Sequence, residues 1–496
     1  MLIIETDSGQ VGLHRHEDVW EGLGIPYAEP LQGLDSIRAP RPRQPWAGVW
    51  DASSFGAACP QTCPEAWGIE KTAPDCLSLN VWTPDVSGKR AIMVWIHGGG
   101  YLAGASSQSM YHGARLSSEQ EVVVISLNYR LGICGFSDFS QVEGLQADSN
   151  CGLRDVLLAL EWVRTHAPVL GGDPGRITLF GQSAGAMLVA TLLAVPSAGY
   201  LFQRAIVQSG SADHVLLSEA ARTVVDRLGS EVGDLLRFWQ EASWDELLCQ
   251  QTKLMDTRLP RANYPFADLQ FAMPALPVVD GHLVTELPLQ ARICKPLMVG
   301  TCRDEWSVYL WMPQLVGGRP RQSVAQDLDA WKRLLERGLP QTHDTVQAVY
   351  DELMAEAGFA DRMVAEETDR IFRHSSRVLA RRNSSVSHVY RLDWPCVGNR
   401  RLGVCHMMDI PFVFAQENSD LGQFLTGISP EALRLGQSLR QKWGRFARGE
   451  SLLQEWPDYR DRHEILVFGE TQSVEQGQDE ASLAVWDSLR SFVEDQ

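Results

Sequence analysis

The stretch that most constrains the fold is residues 177–186, with the sequence ITLFGQSAGA. Four apolar or β-branched residues lead straight into the pattern G-x-S-x-G, and small and apolar residues of helical character follow. A strand, a sharp turn and a helix in this order form a nucleophile elbow, in which a strained turn holds the serine hydroxyl clear of the backbone. We therefore predict that Ser183 is a nucleophile. Gly181 and Gly185 give the turn its room, and the N–H of Ala184 faces a substrate from a helix N-terminus, which favours negative charge.

Composition and charge narrow the class of protein. The 496 residues are 44% hydrophobic and 21% charged, the balance of a soluble globular protein with a large core. A net charge of −18 argues against nucleic acid or an anionic membrane as a partner. No apolar run approaches the ~20 residues of a membrane span, and residues 1–7 lack the basic and apolar segments of a signal peptide. We therefore expect a cytoplasmic protein that acts on a small molecule.

Ten cysteines are scattered along the chain without a C-x-x-C pair. Structural zinc sites use cysteines and histidines at short spacings, so this pattern argues against such a site. Most of the cysteines are expected to be small buried hydrophobic residues. The sequence thus predicts no metal.

Apolar runs and helical periodicities alternate along the chain. Strands are predicted at residues 77–82, 91–96, 121–129, 202–209 and 296–300, and helices at residues 152–166 and 433–446. Strands that alternate with helices predict a mostly parallel α/β sheet. No linker, repeat or low-complexity tract marks a boundary. We therefore predict one domain over residues 1–496, with a helical and charge-rich insertion at about residues 310–400.

A glycine run follows one of the predicted apolar strands. The sequence HGGGY at residues 97–101 lets backbone N–H groups approach a ligand closely. For ester hydrolysis we assign the N–H groups of Gly99, Gly100 and Ala184 to an oxyanion hole. Residues 98–103 also satisfy the dinucleotide pattern G-x-G-x-x-A. That alternative is disfavoured because no amphipathic helix follows and because the next strand ends without an acidic residue for a ribose.

A serine nucleophile needs a base and an acid that orients the base. Among twelve histidines, His406 is the strongest candidate for the base because it lies in a short polar island before an apolar run. Asp304 and Glu305 close a predicted strand and place a carboxylate at the carboxyl edge of the sheet. The order Ser183, Glu305, His406 is the chain order of the α/β-hydrolase triad. Spacing alone does not decide between Asp304 and Glu305.

These motifs occur together in one family. The chain resembles the type-B carboxylesterases, the family of the carboxylesterases and cholinesterases, and within it the bacterial para-nitrobenzyl esterases. The matching stretches run nearly from end to end, and several are specific to the family. They are GIPYA at 24–28, CPQ at 59–61, DCL at 75–77, LN at 79–80, HGGGY at 97–101, NYRLG at 128–132, GGDP at 171–174, GQSAG at 181–185, QSGS at 208–211, RDE at 303–305 and CH at 405–406.

The resemblance implies a single domain of the α/β-hydrolase fold. Such a domain has a mostly parallel central sheet flanked by helices, with helical insertions around an active-site gorge. The resemblance also implies a catalytic triad of Ser183, Glu305 and His406. Ser209 matches a serine that forms hydrogen bonds around the acid of the triad in such enzymes.

Several positions outside the triad are informative by comparison with the family pattern. Arg130 and Asp155 match a buried ion pair of the family. The family's arginine near the N-terminus is Ser36 here, and the glutamate that usually pairs with it is Pro74, so the loss is coordinated. The glycine after the family's Asp-Glu pair is Trp306, whose backbone must therefore avoid positive φ.

Cys59 and Cys76 match a family disulfide that closes a loop over the gorge. A reducing cytoplasm opposes such a bond, so its formation is left open here.

The substrate pocket is less defined by the sequence than the triad. The position of a bulky acyl-pocket tryptophan in the family falls near Leu216, which implies a roomier acyl site. Trp67 is a candidate for the alcohol side of the pocket, with a place in the core as the alternative. The candidate pocket walls are Trp67, Leu216, Phe271 and Met273.

Taken together, the residues and the resemblance predict a cofactor-free serine carboxylesterase that hydrolyses carboxylic esters through an acyl-enzyme. Two alternatives stay open. A hydrolase of carbamates, anilides or amides would use the same triad, since only the leaving group differs. A non-catalytic binding protein of the same family would typically lack the serine or the histidine, and both are present here. We expect a monomer or a homodimer.

Overall fold

The computed structural model describes residues 1–255, 275–316, 343–476 and 480–494. The strands are β1 Leu2–Thr6, β2 Gly9–His16, β3 Val19–Pro26, β4 Val49–Asp51, β5 Ser78–Thr83, β6 Arg90–Ile96, β7 Val123–Leu127, β8 Gly172–Gln182, β9 Arg204–Gln208, β10 Leu216–Leu217, β11 Val278–Val279, β12 Leu297–Cys302, β13 Ser387–Leu392, β14 Glu464–Phe468 and β15 Gln472–Gln476.

The α-helices are α1 Ala114–Gln120, α2 Gly132–Phe136, α3 Cys151–His166, α4 Ala184–Leu193, α5 Ser218–Val232, α6 Leu235–Glu241, α7 Trp244–Leu254, α8 Ser307–Trp311, α9 His343–Leu353, α10 Phe359–Thr368, α11 His374–Arg382, α12 Asp409–Val413, α13 Asp420–Leu425, α14 Pro430–Arg448, α15 Tyr459–Arg462 and α16 Glu480–Glu494. A π-helical turn, Asp369–Arg373, joins α10 to α11. Short 3₁₀ helices are Gly33–Ile37, Pro64–Trp67, Ser109–Tyr111, Ala167–Leu170, Pro196–Ala198, Pro313–Val316 and Arg400–Leu402.

One large sheet organises the molecule. In the described part of the chain it contains 13 strands in the order β1-β2-β3-β5-β7-β6-β8-β9-β12-β13-β14-β15, with β4 paired to β2. The neighbours from β7 to β14 are parallel. At one side, β1, β2, β3 and β5 are each antiparallel to the strand that follows in this order, and at the other side β15 is antiparallel to β14. The carboxyl ends of the parallel strands therefore meet at one edge, which is where ligands bind in open α/β sheets.

The central strands are buried on both faces. In β6, Ile92, Val94 and Ile96 contribute to one hydrophobic cluster, and Met93 and Trp95 contribute to another. Successive side chains of a strand point to opposite faces, so a strand between two helical layers needs apolar residues at every position. The mostly parallel α/β sheet that the continuous apolar runs predicted is confirmed.

The helical insertion is shorter than the sequence predicts. Helix α11 ends at Arg382, and β13 then lies in the sheet between β12 and β14. This strand contains His388 and Arg391, and the charge of Arg391 is neutralised by Asp393, whose carboxylate oxygen lies 2.7 Å from the guanidinium. A buried strand whose charged residues are paired cannot be recognised from a charge-rich composition. The upper bound of 400 that was predicted for the helical insertion is therefore wrong. Residues 317–342 of the predicted insertion lie outside the described residues.

No membrane-spanning segment is found in the described ranges. None of their helices combines the length with the apolar character that crossing a bilayer requires.

Arg130 and Asp155 form a buried ion pair at the centre of the fold. Nε of Arg130 donates to one carboxylate oxygen at 2.8 Å and Nη2 donates to the other at 2.5 Å, and both side chains are fully buried. Nη1 of Arg130 donates to the carbonyl oxygens of Asp35, Ser36 and Arg38 at 3.2, 3.1 and 2.6 Å. The guanidinium thus holds the N-terminal segment in which a serine replaces the family's arginine.

Replacing Asp155 by alanine is expected to lower the free energy of unfolding by about 3–5 kcal/mol, because Arg130 stays buried without its counter-charge. Urea unfolding followed by circular dichroism measures the change. The matched control is Asp173→Ala, which removes the partly exposed partner of Arg176, 2.9 Å away. That change is expected to lower the free energy of unfolding by about 1 kcal/mol or less. Equal losses in the two variants would contradict the prediction.

Candidate active site

The nucleophile elbow predicted at residues 177–186 lies between β8 and α4. Ser183 follows the strand with φ 56° and ψ −129°, a conformation that a non-glycine residue adopts only under strain. A Cβ at Gly185 would lie 2.0 Å from the carbonyl oxygen of Ile96, and one at Gly181 would lie 2.6 Å from the backbone of Gly185. The turn therefore requires glycine at both positions, and it holds the serine at the carboxyl edge of the sheet.

The glycine run after β6 packs directly on this elbow. A Cβ at Gly98 would lie 2.9 Å from the carbonyl oxygen of Gln182 and 3.1 Å from the Cβ of Ser183. A larger residue at this position would push the run away from the serine. The absence of a side chain thus brings the backbone of the run close to the hydroxyl of Ser183.

The N–H groups predicted to form an oxyanion hole are available in this structure. Gly99 has φ 111° and Gly100 has φ 61°, values that favour glycine. Ala184 is the first residue of α4, so its N–H has no acceptor within the helix. Over the described ranges, none of the three N–H groups is paired with an acceptor. Unpaired backbone donors beside a serine are what a developing oxyanion requires.

His97 supports the glycine run and is unsuited to be the base. Its Nδ1 lies 2.8 Å from the carbonyl oxygen of Gly98, and its ring stacks on that of Tyr129 with 4.5 Å between centroids. Burial lowers the pKa of His97 to about 4, against a smaller opposing effect of the hydrogen bond to Gly98. The side chain is therefore neutral at physiological pH, with the Nδ1 proton donated to the carbonyl.

Glu305 and His406 form the closest acid–histidine contact at this edge of the sheet. Nδ1 of His406 lies 2.6 Å from Oε2 of Glu305, and both side chains are buried. Oε1 of Glu305 accepts the N–H of Cys302 at 2.7 Å. The next residue, Trp306, has φ −75°, which confirms that its backbone avoids positive φ. Since the carboxylate holds the proton on Nδ1, the acceptor lone pair of the His406 imidazole is on Nε2.

Asp304, which spacing left as an alternative acid, faces elsewhere. One of its oxygens accepts the N–H of Val404 at 2.8 Å, and the carboxylate pairs with Arg303 at 3.1 Å. The side chain is thus fixed on the loop before His406 and makes no contact with the imidazole in the described structure. Of these two carboxylates, only that of Glu305 contacts His406 in the described structure.

Ser183 and His406 have other partners in this structure. No hydrogen bond joins them within the part of the chain that the structure describes. Nε2 of His406 accepts the side-chain amide of Gln182 at 2.9 Å, and the hydroxyl of Ser183 lies close to that of Tyr309. Catalytic hydrogen bonds are often long or poorly aligned when no substrate is bound, so this geometry does not exclude either residue from a triad.

Aromatic rings cover the imidazole. The ring centroids of Phe372 and Tyr309 lie 4.8 and 5.6 Å from that of His406. Phe372 lies in the π-helical turn between α10 and α11, and Tyr309 lies in α8. Both rings exclude water from one side of His406, which strengthens its interaction with Glu305.

A second buried carboxylate lies close to the acid–histidine pair. Oδ2 of Asp409 accepts the side-chain amide of Gln208 and the hydroxyl of Tyr390, each at 2.9 Å. Burial raises the pKa of Asp409, while these two hydrogen bonds oppose the rise. Sequence reasoning missed Asp409, Gln182, Tyr309 and Phe372. Gln182 lies in the GQSAG motif, and Asp409 lies three residues after His406 in the polar island. Neither spacing nor periodicity indicates which of these side chains are in contact.

Ser209 differs from the expectation that the resemblance raised. The residue is buried with φ 50°, and its N–H donates to the carbonyl oxygen of Gly300 at 2.8 Å. Among the described residues its hydroxyl has no hydrogen-bond partner. Both oxygens of Glu305 already accept hydrogen bonds from Cys302 and His406. The backbone of Ser209 therefore links β9 to β12, and within the described ranges the implied hydrogen bonds of its side chain are not formed.

The predicted pocket walls are only partly described. Leu216 is buried at the start of β10. Trp67 is half-buried at the end of a 3₁₀ helix and packs against the small cluster of Ala58, Ile69 and Ala105. Phe271 and Met273 lie outside the described residues. Which of these side chains contacts a substrate stays a prediction.

Cys59 and Cys76 are neighbouring buried thiols. All ten cysteines of the chain are free, so the disulfide that the resemblance raised is absent from this structure. A hydrogen bond with Cys59 and burial raise the pKa of Cys76 well above its usual range. A thiol with a raised pKa is a poor nucleophile for disulfide exchange.

A mostly parallel sheet that presents a serine elbow, a glycine run and an acid–histidine pair at its carboxyl edge defines an α/β-hydrolase. The profile of the carboxylesterase family matches residues 3–486. The chain therefore belongs to the carboxylesterase family, and it is a carboxylic ester hydrolase.

Individual relatives agree with this assignment. The para-nitrobenzyl esterase of Bacillus subtilis is 31% identical over 493 residues, which are 95% of this chain and 96% of that protein. The phenmedipham hydrolase of Pseudarthrobacter oxydans is 31% identical over 499 residues, 94% of this chain and 95% of that protein. The structure of a carboxylesterase from Geobacillus stearothermophilus superposes with a TM-score of 0.84 at 27% identity and covers 98% of this chain and 99% of that one.

Proposed function

We propose that Ser183, His406 and Glu305 are the catalytic triad of this esterase. The observation that carries the proposal is the buried contact of 2.6 Å between His406 and Glu305 at the same sheet edge as the strained serine. Nδ1 of His406 donates to the carboxylate, and Nε2 is left as the acceptor for the serine proton. When an ester binds, the hydroxyl of Ser183 turns to Nε2 and displaces the amide of Gln182 from it.

The reaction proceeds through a covalent acyl-enzyme. Oγ of Ser183 attacks the ester carbonyl carbon while His406 accepts the hydroxyl proton, and the carbonyl oxygen becomes an oxyanion. The N–H groups of Gly99, Gly100 and Ala184 donate to that oxygen. The intermediate collapses, its bond to the alcohol oxygen breaks, and His406 returns the proton to the leaving alcohol. Water then repeats the sequence on the acyl-enzyme and releases the carboxylic acid.

The substrate class follows from the relatives and from the acyl side of the pocket. A relative that is 31% identical is named para-nitrobenzyl esterase, so we propose aryl and benzyl esters as substrates of this chain. Leu216 near the position of a bulky family tryptophan supports a roomy acyl site. The comparisons favour ester hydrolysis over hydrolysis of carbamates, anilides or amides and over a non-catalytic binding role.

The domain organisation, oligomeric state, location and partners of the enzyme are also proposals. We place it in one domain over residues 1–496, in a monomer or homodimer. We also propose a cytoplasmic location for the enzyme. The net charge of −18 makes nucleic acid an unfavourable partner.

The test is a stopped-flow time course with p-nitrophenyl butyrate. Wild-type enzyme is expected to release close to one equivalent of nitrophenol per active site in a burst when deacylation is slower than acylation. Mass spectrometry of the quenched wild-type enzyme is expected to place the butyryl group on the peptide that contains Ser183, whereas Ser183→Ala gives neither burst nor adduct. A butyryl group on another residue, with full turnover in Ser183→Ala, would overturn the proposal.

A further inference from the structure

Three metal-binding side chains meet outside the active site. His16 ends β2, Glu21 lies in β3, and His112 follows the 3₁₀ helix Ser109–Tyr111. One nitrogen of each histidine and one carboxylate oxygen all lie within 4.8 Å of one another. Nε2 of His112 is 3.0 Å from Oε2 of Glu21, and Nδ1 of His16 is 3.9 Å from Oε1. The two imidazoles therefore converge on a single carboxylate.

The sheet register explains why these groups share one surface. In the β2–β3 hairpin, Glu21 lies opposite His14, so it shares a face with His14 and with His16 two residues further along. Glu21 also pairs with Trp82 of β5, whose Nε1 donates to its Oε2 at 2.7 Å. The ring of His112 lies 5.2 Å from that of Trp82. Two distant chain segments thus build the cluster, and spacing along the sequence gives no sign of it.

The donor set and its geometry suit a transition metal ion. Two imidazole nitrogens and a carboxylate oxygen bind Zn²⁺ at about 2.0–2.2 Å, which places ligand atoms of a tetrahedral site ~3.3 Å apart. The distances from Glu21 to His112 and His16, 3.0 Å at Oε2 and 3.9 Å at Oε1, lie on either side of that spacing, and the three ligand atoms of the cluster lie within 4.8 Å of one another. The indole N–H of Trp82 orients the carboxylate, as outer hydrogen bonds do around metal ligands.

The charge and exposure of the cluster also fit an ion. The carboxylate of Glu21 lies between the two imidazoles, and its Oε2 accepts the indole N–H of Trp82 at 2.7 Å. The side chains of His16, Glu21 and His112 are 41%, 12% and 25% exposed. This degree of exposure leaves a path for an ion and room for a water ligand.

We propose that His16, Glu21 and His112 form a binding site for a divalent transition metal ion such as Zn²⁺, with water as the fourth ligand. Cysteine spacing gives no sign of this site, because its ligands are two histidines and a glutamate from separate segments. Imidazole nitrogen suits Zn²⁺ and other borderline transition metal ions, whereas Mg²⁺ and Ca²⁺ prefer oxygen ligands, so the site discriminates against the latter pair.

The site stabilises the fold and takes no part in ester hydrolysis. Trp82 of β5 lies beside Glu21 and pairs with Val124 of β7, which in turn pairs with Met93 of β6. In β6 and β7 these pairings precede the carboxyl ends of the strands, and Ser183 lies at the carboxyl edge of the sheet. A bound ion joins the β2–β3 hairpin to the segment that enters α1. Because the ion binds the folded chain, it shifts the unfolding equilibrium toward the native state.

The experiment titrates full-length, EDTA-treated protein with Co²⁺ by visible absorption and with Zn²⁺ by calorimetry, after alkylation of exposed thiols. The variants are His16→Gln, His112→Gln and Glu21→Gln. The matched control is His14→Gln, which removes a histidine of the same hairpin that contacts only Asp51, at 2.7 Å, among carboxylates of the described structure. Turnover of p-nitrophenyl butyrate verifies that each variant is folded.

We expect one Co²⁺ per chain in wild type and in His14→Gln, with the absorption of a four-coordinate nitrogen and oxygen site. Loss of either cluster histidine is expected to weaken binding by at least about 100-fold, with ester turnover unchanged. Zn²⁺ is expected to raise the midpoint of thermal unfolding in wild type and in the control only. Absence of a stoichiometric site in wild type, or equal binding in His16→Gln and His112→Gln, would overturn the proposal.

Discussion

Replacing Ser183 by alanine is expected to lower kcat for p-nitrophenyl butyrate by about 10⁶-fold. The change removes the oxygen that attacks the carbonyl, and the loss of a serine nucleophile from a triad has an effect of that order. The N–H groups of Gly99 and Gly100 remain, so a residual rate above that in water is expected. Steady-state turnover at saturating ester, with active sites counted from the wild-type burst, measures the change.

The matched control for this change is Ser209→Ala. Ser209 is a buried serine at the same end of the sheet, and among the described residues its hydroxyl has no hydrogen-bond partner. Its replacement is expected to change kcat by less than about threefold, since no charge-assisted or catalytic hydrogen bond is lost. A loss in Ser209→Ala comparable to that in Ser183→Ala would show that Ser209 supports the triad after all. Near-wild-type turnover in Ser183→Ala would disprove the nucleophile assignment.

Replacing Glu305 by glutamine is expected to lower kcat by about 10⁴-fold. The carboxylate accepts the Nδ1 proton of His406 at 2.6 Å and balances the charge of the imidazolium that forms during attack. A neutral amide does not balance that charge, and its NH₂ group favours the tautomer in which Nε2 already carries a proton. The measurement is the pH profile of kcat/KM together with kcat.

Asp304→Asn is the matched control because it neutralises the neighbouring carboxylate. Asp304 accepts the N–H of Val404 and pairs with Arg303. Loss of its charge is therefore expected to shift the loop before His406 slightly and to lower kcat by less than about tenfold. If Asp304→Asn abolished turnover and Glu305→Gln preserved it, the acid of the triad would be Asp304.

The contact between Gln182 and His406 has a consequence for binding if the proposed triad is correct. Nε2 of His406 accepts a hydrogen bond from Gln182 at 2.9 Å. Because a single lone pair on Nε2 serves only one well-aligned donor, activation of Ser183 by His406 then requires displacement of this amide. In the proposed mechanism, part of the binding energy of an ester is therefore spent on bringing the base to its nucleophile.

Local patterns in the sequence determined the elbow and the class of fold. A Cβ at position 181 would lie 2.6 Å from a backbone atom, and one at position 185 would lie 2.0 Å from another, so both positions require glycine. This requirement is visible in the motif itself. Continuous apolar runs predicted the central strands because a strand between two helical layers contacts apolar side chains on both faces. Burial of Arg130 against Asp155 was implied by the resemblance and is present in the structure.

Tertiary structure alone decided which polar side chains meet. It separated Glu305 from Asp304, placed Gln182 on His406, left the hydroxyl of Ser209 without a partner among the described residues, and brought β13 out of the predicted insertion into the sheet. The contact among His16, Glu21 and His112 was likewise decided by the tertiary structure alone. Spacing and periodicity record contacts between near neighbours along the chain. A contact between distant segments depends on sheet register and side-chain direction, which only the folded molecule determines.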